Sequence, residues 1–144
     1  MVEQDTIKLL RECDAGVKMG VASLDDVLDQ ANSDTLKQYL KKCKQDHETL
    51  EHEIRGLLNR YHDDGKEPNP IAKGMSWLKT NMKLGMDQSD QTIADLITDG
   101  CNMGVKSLNQ YLNQYQASDE VSKDITKRLI HLEERLAVDI RKFL

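Results

Sequence analysis

The sequence has few of the residues that mark strands, linkers or disulfide frameworks. Its 144 residues include two prolines, one tryptophan, one phenylalanine and three cysteines. The cysteines, Cys13, Cys43 and Cys101, are odd in number and widely spaced, so they form neither a CxxC motif nor a set of paired disulfides. We expect reduced, half-buried thiols in a cytoplasmic protein.

Two further absences narrow the classes of partner. No stretch approaches 18 consecutive apolar residues, and the N-terminus is charged from Glu3 onward, so we expect neither a membrane span nor a targeting segment. The formal net charge of −5 argues against nucleic acid or an anionic membrane as the main partner. Hydrophobic residues at 38% and charged residues at 31% indicate an ordered, soluble domain.

The apolar residues that are present follow a helical period. They recur at alternating spacings of three and four in four segments, which predicts helices near 5–29, 34–62, 89–115 and 119–143. No alternating strand pattern is present. We therefore predict an all-α fold with a single four-helix-bundle domain over 1–144.

The two halves of the chain resemble each other. Met-Gly-Val-Ala-Ser-Leu at 19–24 reappears as Met-Gly-Val-Lys-Ser-Leu at 103–108, an offset of 84 residues. Gly16 matches Gly100 at the same offset. We therefore interpret each half as the same helical hairpin, and two such hairpins form a four-helix bundle.

Both prolines lie in the one strong break between the hairpins. Hairpin one covers 5–62, the crossover 63–88 and hairpin two 89–144. A crossover of this length can run back along the bundle, which would place the second and third helices parallel. Its own apolar spacing predicts a short helix near 70–86.

Two hairpins joined by one long crossover resemble the ferritin-like four-helix bundles. The segment Gly-Met-Ser-Trp-Leu-Lys at 74–79 is also similar to a crossover segment in a group of small, uncharacterised bacterial proteins of that fold. The resemblance implies a ferritin-like bundle and no settled activity.

The resemblance raises the question of a di-iron site, which needs Glu-x-x-His on two helices. The residues three positions before the four histidines are Lys44, Thr49, Asn59 and Arg128, so the motif is absent. We therefore predict no intrinsic di-iron chemistry.

Polar residues interrupt the apolar stripes at one predicted height. Asp14, His47 and Thr98 occupy core positions, and Glu133 borders the fourth stripe. The simplest interpretation is an Asp14–His47 hydrogen bond or a snorkelling position at the edge of the core, because a buried charge needs a partner. The alternative is a non-standard site for a single divalent metal ion, formed by Asp14, His47, Glu51 and Glu133.

The cysteines bear on both alternatives. Cys101 could add a softer ligand to a metal site. An enzyme that uses Cys101 or Cys13 as a nucleophile is the least favoured class, because the sequence places no histidine beside either thiol.

Four glycines lie inside the first and third predicted helices. Gly16, Gly20, Gly100 and Gly104 form two Gly-x-x-x-Gly pairs at matching positions, and each costs about 1 kcal/mol relative to alanine. We predict that they mark a close contact between these two helices. Room for Trp77 or a close dimer contact are the alternatives.

The crossover also offers a surface for a homo-oligomer or another protein partner through Met75, Trp77, Met82 and Met86. More commonly such a stripe covers the side of a bundle. The sequence carries no phosphate loop and no Rossmann fingerprint. We expect a non-catalytic structural or protein-interaction bundle without a cofactor; the alternative is a metal-binding ferritin-like protein with an incomplete site.

Overall fold

The structure, a computed structural model, describes residues 3–68 and 89–144. Within these residues it contains four α-helices and no strand. They are α1 (Gln4–Leu28), α2 (Asp34–Arg60), α3 (Asp90–Gln114) and α4 (Glu120–Asp139), with a 3₁₀ turn at Arg141–Phe143. The predicted all-α, four-helix architecture is confirmed. The predicted crossover helix and the methionine-rich partner surface lie outside the described residues.

Three of the helices begin at a side chain that accepts a hydrogen bond from the backbone of the first turn. Ser33 accepts from the N–H of Leu36, and Ser89 accepts from the N–H of Thr92. The carboxylate of Asp119 caps α4 in the same way. Such caps satisfy N–H groups that have no partner inside a helix, which fixes where each helix starts. None of the helices in the described ranges is long and apolar enough to cross a membrane.

Contacts between helices give their directions. The N–H of Asp119 donates to Thr6 Oγ1 over 2.8 Å, and Cys13 Sγ lies 3.2 Å from Thr126 Oγ1. Both pairs are 113 residues apart, so α1 and α4 run parallel. Because each hairpin is antiparallel, α1 and α3 run in opposite directions.

The same reasoning places α2 and α3 parallel. The carboxylate of Asp90, at the start of α3, accepts hydrogen bonds from the N–H groups of Asn32 and Ser33, at the start of α2. Both helices therefore begin at the same end of the bundle.

The core is divided by height into two apolar clusters. One contains Leu24, Val27, Leu36, Leu40, Cys43, Ile93, Ile97, Leu136 and Ile140, and the other contains Leu10, Cys13, Val17, Leu50, Ile54, Leu58, Leu108, Ile125 and Leu129. Gly20, His47, Gly104 and Glu133 fall between the two clusters, one on each helix. The bundle therefore has a polar layer at mid-height.

Helix α2 ends in a Schellman motif. The N–H of Asp63 donates to the carbonyl of Leu58, and the N–H of His62 donates to the carbonyl of Asn59. His62 has a φ of 56°, the left-handed conformation that glycine usually adopts at this position.

Substitution of His62 by glycine should stabilise the protein by about 0.5–1 kcal/mol, because it removes the steric cost of a left-handed non-glycine residue. Urea denaturation measures the change. His52 is exposed in the interior of the same helix. The matched substitution His52→Gly should destabilise by a similar amount, since glycine is unfavourable there. The same sign for both changes would contradict this account of the motif.

Candidate functional site

The mid-height layer contains two buried ionisable side chains that face each other. His47, on α2, is 2% exposed, and Glu133, on α4, is 9% exposed. The imidazole Nε2 lies 3.9 Å from Glu133 Oε1, which is too long for a direct hydrogen bond. Within the described part of the chain, His47 Nε2 and Glu133 Oε2 have no hydrogen-bond partner. The two side chains are therefore close enough to attract each other electrostatically, but one polar atom on each still lacks a hydrogen bond.

The other imidazole nitrogen fixes the orientation of the ring. His47 Nδ1 lies 2.8 Å from the backbone carbonyl of Cys43, one turn earlier on α2. A carbonyl can only accept, so Nδ1 carries the hydrogen and donates it. Nε2 is therefore the atom that can accept when the ring is neutral and donate when it is protonated.

The two ionisable groups hold protons more tightly than usual. Burial alone would lower the pKa of His47. Its hydrogen bonds to Cys43 and the nearby negative charge of Glu133 outweigh burial and raise the pKa to about 10. Burial raises the pKa of Glu133, although the imidazole acts in the opposite direction. The raised pKa of His47 favours a protonated imidazole at neutral pH.

The glycines at mid-height make room for these side chains. A Cβ atom at Gly20 would lie 2.7 Å from Cδ2 and 2.9 Å from Nε2 of His47, and a Cβ at Gly104 would overlap the carboxylate of Glu133. Gly16 has ordinary packing space beside Leu129. The predicted close contact between the first and third helices stays a prediction, since the atoms nearest to Gly20 and Gly104 belong to side chains. Each of these two glycines meets a side chain from the other helix of its own hairpin.

A cavity of about 280 Å³ lies beside this layer. All four predicted glycines, Gly16, Gly20, Gly100 and Gly104, line it, so the glycine faces of α1 and α3 look onto a shared space. His47 and Glu133 also line it, together with largely apolar neighbours that include Leu24, Ile97, Met103, Leu108 and Leu136. Met103 is 45% exposed, which places one wall of the cavity at the protein surface. Buried polar groups with unused capacity inside an apolar pocket are the usual features of a binding site.

The predicted Asp14–His47 hydrogen bond is wrong. Asp14 is 2% exposed, and its Oδ2 accepts from Lys18 Nζ and from the N–H of Lys66, both over 2.9 Å. Asp14 is six residues from Gly20, about 9 Å along the helix axis, whereas His47 faces Gly20. The chain after α2 folds back onto α1, and the N–H of Lys66 binds Asp14 in the place that the sequence analysis had predicted for His47.

The structure brings together two of the four predicted metal ligands. His47 and Glu133 are neighbours, Asp14 belongs to the separate network with Lys18 and Lys66, and Glu51 has a buried Oε2 without a partner among the described residues. Residues 3–68 and 89–144 contain no group of three or more His, Cys, Asp or Glu side chains that could hold a metal ion. The metal site stays a prediction without a coordinating group in this part of the chain.

Cys13, Cys43 and Cys101 are all buried. Burial raises the pKa of the Cys13 thiol to about 12 and also raises the pKa of Cys101, which lies near the charge of Glu133. A thiol with a raised pKa is a poor nucleophile at neutral pH. Burial therefore disfavours the thiolate form of Cys13 and Cys101 that nucleophilic chemistry needs.

Sequence reasoning missed the link between each glycine and its ionisable neighbour. The available signal was the repeat: Gly20 and Gly104 are 84 residues apart, and His47 and Glu133 are 86 residues apart. The two hairpins thus place a glycine on the first helix against an ionisable residue on the second.

The chain matches no model of a known protein family, and no curated protein is found to be similar to it. The resemblance to ferritin-like bundles therefore stays a prediction. A fold shared by many proteins would not define an activity in any case, so function has to be inferred from the residues of the site.

Substitution of Gly20 by alanine should destabilise the protein by about 1–3 kcal/mol, because the new methyl group collides with a ring that Cys43 holds in place. In a His47→Ala background the same substitution should be neutral or stabilising by up to about 1 kcal/mol, since alanine is the better helix former. Urea denaturation of the four proteins of this cycle provides the test.

Gly56 is the matched control, because it lies in the interior of α2 with nothing within 4 Å of its Cβ position. Gly56→Ala should stabilise by about 0.5–1 kcal/mol. If Gly20→Ala behaved like Gly56→Ala, the proposed collision with His47 would not exist.

The raised pKa of His47 predicts that stability falls with alkaline pH. Between its ordinary value of 6.5 and the folded value of about 10, the folded protein keeps a proton that the unfolded chain has lost. The free energy of unfolding should therefore decrease as pH rises from 7 to 8.5, by up to about 1.4 kcal/mol per pH unit. His47→Gln should flatten this slope, and the exposed control His52→Gln should retain it.

Proposed function

We propose that this protein is a non-catalytic helical bundle whose cavity between α1 and α3 binds a small, largely apolar molecule. The observation that carries the proposal is the coincidence of His47 Nε2 and Glu133 Oε2, both buried and unpartnered within the described residues, with an apolar cavity that both residues line. An unpaired buried polar atom costs about 1–3 kcal/mol, which a bound molecule can recover.

The size of the cavity supports a small ligand. Its volume of about 280 Å³ is roughly twice that of an engineered 150 Å³ cavity that binds benzene. Most of the lining residues are apolar, and the glycines leave space without adding polar atoms. The favourable free energy would therefore come mainly from burial of apolar ligand surface.

An organic ligand accounts for the site better than a metal ion does. Two of the four predicted ligands lie together, and a divalent ion with two protein ligands would rely on other donors. The raised thiol pKa values likewise favour a binding role over nucleophilic catalysis.

For the architecture, we propose a ferritin-like bundle without the di-iron ligands of that class. The parallel directions of α2 and α3 support this arrangement. So does the absence of Glu-x-x-His from the sequence.

The proposal predicts saturable binding of a small aromatic hydrocarbon. Ethylbenzene should bind at one site with millimolar or tighter affinity and should raise the midpoint of thermal unfolding. Titration monitored by ¹H–¹⁵N NMR should shift the amide signals of Gly20, Gly104 and their neighbours.

Two leucine substitutions on α3 separate the cavity from the surface. Ser107 lines the cavity, whereas its neighbour Lys106 is exposed. Ser107→Leu should fill part of the space and weaken ethylbenzene binding at least tenfold, whereas Lys106→Leu should leave it unchanged. The proposal fails if neither ethylbenzene nor benzyl alcohol gives saturable binding, or if both variants bind alike.

A further inference from the structure

We propose that the ligand of this cavity is uncharged and carries one group that both donates and accepts a hydrogen bond, such as a hydroxyl or a primary amide, seated between His47 and Glu133. This inference rests on the proposed function and adds the chemical class of the ligand. In this inference His47 and Glu133 determine which ligand binds, and the apolar residues of the cavity contribute most of the binding free energy.

The distance between His47 and Glu133 leaves room for a ligand group that makes a hydrogen bond to each of them. His47 Nε2 and Glu133 Oε1 are 3.9 Å apart, so they make no hydrogen bond to each other, and the unpartnered Oε2 belongs to the same carboxylate. With the imidazole protonated, Nε2 offers a donor and the carboxylate offers an acceptor. A hydroxyl beside both atoms can accept from the first and donate to the second, as an amide can through its oxygen and nitrogen. An apolar group in that position would leave both atoms unpaired.

The charges around His47 and Glu133 favour an uncharged ligand group. An imidazolium and a carboxylate 3.9 Å apart balance each other's charge, so neither is left as a free counter-charge. The elements that face it contribute Gly20 from α1 and Gly104 from α3, neither of which has a side-chain charge. The nearby thiols of Cys43 and Cys101 are buried, and burial raises the pKa of Cys101. A charged ligand group would therefore lose hydration without gaining a free counter-charge, which is costly.

The remaining charged residue of the described cavity lining is already paired. Glu12 lies against Lys66, with Lys66 Nζ 2.6 Å from Glu12 Oε1. It therefore offers no strong attraction to a cationic ligand. The described lining also carries the hydroxyl groups of Ser23, Ser107 and Tyr111, but its buried atoms without a hydrogen-bond partner are His47 Nε2 and Glu133 Oε2.

Isosteric probes test the inference in the unmodified protein. Ethylbenzene, benzyl alcohol and benzylammonium have the same number of non-hydrogen atoms and differ in one terminal group; benzoate supplies the anionic case. At pH 7, NMR titration should show that benzyl alcohol binds at least tenfold more tightly than ethylbenzene, because a hydrogen bond to a charged group contributes about 1.5–3 kcal/mol. Benzylammonium and benzoate should both bind more weakly than benzyl alcohol.

Removing the charge of Glu133 should favour an anionic ligand, and removing the charge of His47 should favour a cationic one. Glu133→Gln leaves His47 as the ionisable member and should raise the benzoate-to-benzyl-alcohol affinity ratio at least tenfold at pH 6. His47→Gln leaves Glu133 and should raise the benzylammonium-to-benzyl-alcohol ratio at pH 8. The exposed neighbours provide controls, since Glu134→Gln and His52→Gln should leave both ratios unchanged.

The outcomes distinguish this inference from the proposed function. If ethylbenzene binds as tightly as benzyl alcohol, the cavity binds ligands but the pair does not select them, and the inference is overturned. Tighter binding of benzoate or benzylammonium than of benzyl alcohol by the unmodified protein would overturn it as well. The probe series needs no substitution, so poor folding of a variant cannot leave the question open.

Discussion

The contact between His47 and Glu133 at mid-height is the constraint on which the rest of this bundle depends. Both groups are buried, so the surrounding helices must supply space and compensation at that height. Space comes from Gly20 and Gly104, whose missing side chains leave room for the imidazole and the carboxylate. Partial compensation comes from the carbonyl of Cys43, which orients the ring. The apolar core consequently divides into a cluster above this layer and a cluster below it, because no apolar residue can bridge a layer filled by charge and glycine.

The internal repeat explains why a glycine faces a buried ionisable residue in both hairpins. In each hairpin, a glycine on the first helix faces an ionisable residue on the second: Gly20 faces His47, and Gly104 faces Glu133. The two hairpins pack so that the two ionisable residues lie next to each other at mid-height. One hairpin brings a base and the other an acid, so a nearly symmetric scaffold produces an asymmetric, charge-balanced pair. Two histidines or two glutamates at these positions would place like charges together in the core, which is unfavourable.

Local periodicity was enough to predict the four helices, but it could not assign partners across the bundle. Spacings of three and four residues determine which face of a helix is buried, and they correctly placed His47 and Glu133 in one layer. Asp14 lay on the same kind of stripe, yet its partners are Lys18 on its own helix and the backbone of Lys66 in the chain after α2. That return of the chain depends on the left-handed residues His62 and Gly65, which no periodic signal reveals. The glycines were recognised as unusual because each costs helix stability, but the side chain opposite each depends on helix rotation, which a repeat in one sequence does not define.

The unused hydrogen-bonding atoms of His47 and Glu133 bear on why the core contains these two residues. A closed ion pair with every polar atom satisfied can at best offset its desolvation cost, and well-packed apolar residues often stabilise a protein more. Here the cost is larger, because His47 Nε2 and Glu133 Oε2 have no partner within the described chain and a cavity lies beside them. Glycines on two helices preserve that space, although alanine would favour both helices. Stability therefore does not account for the layer as a whole. The proposed ligand site would account for the layer, since the cost of the unpaired polar atoms would then contribute to the affinity and selectivity for the bound molecule.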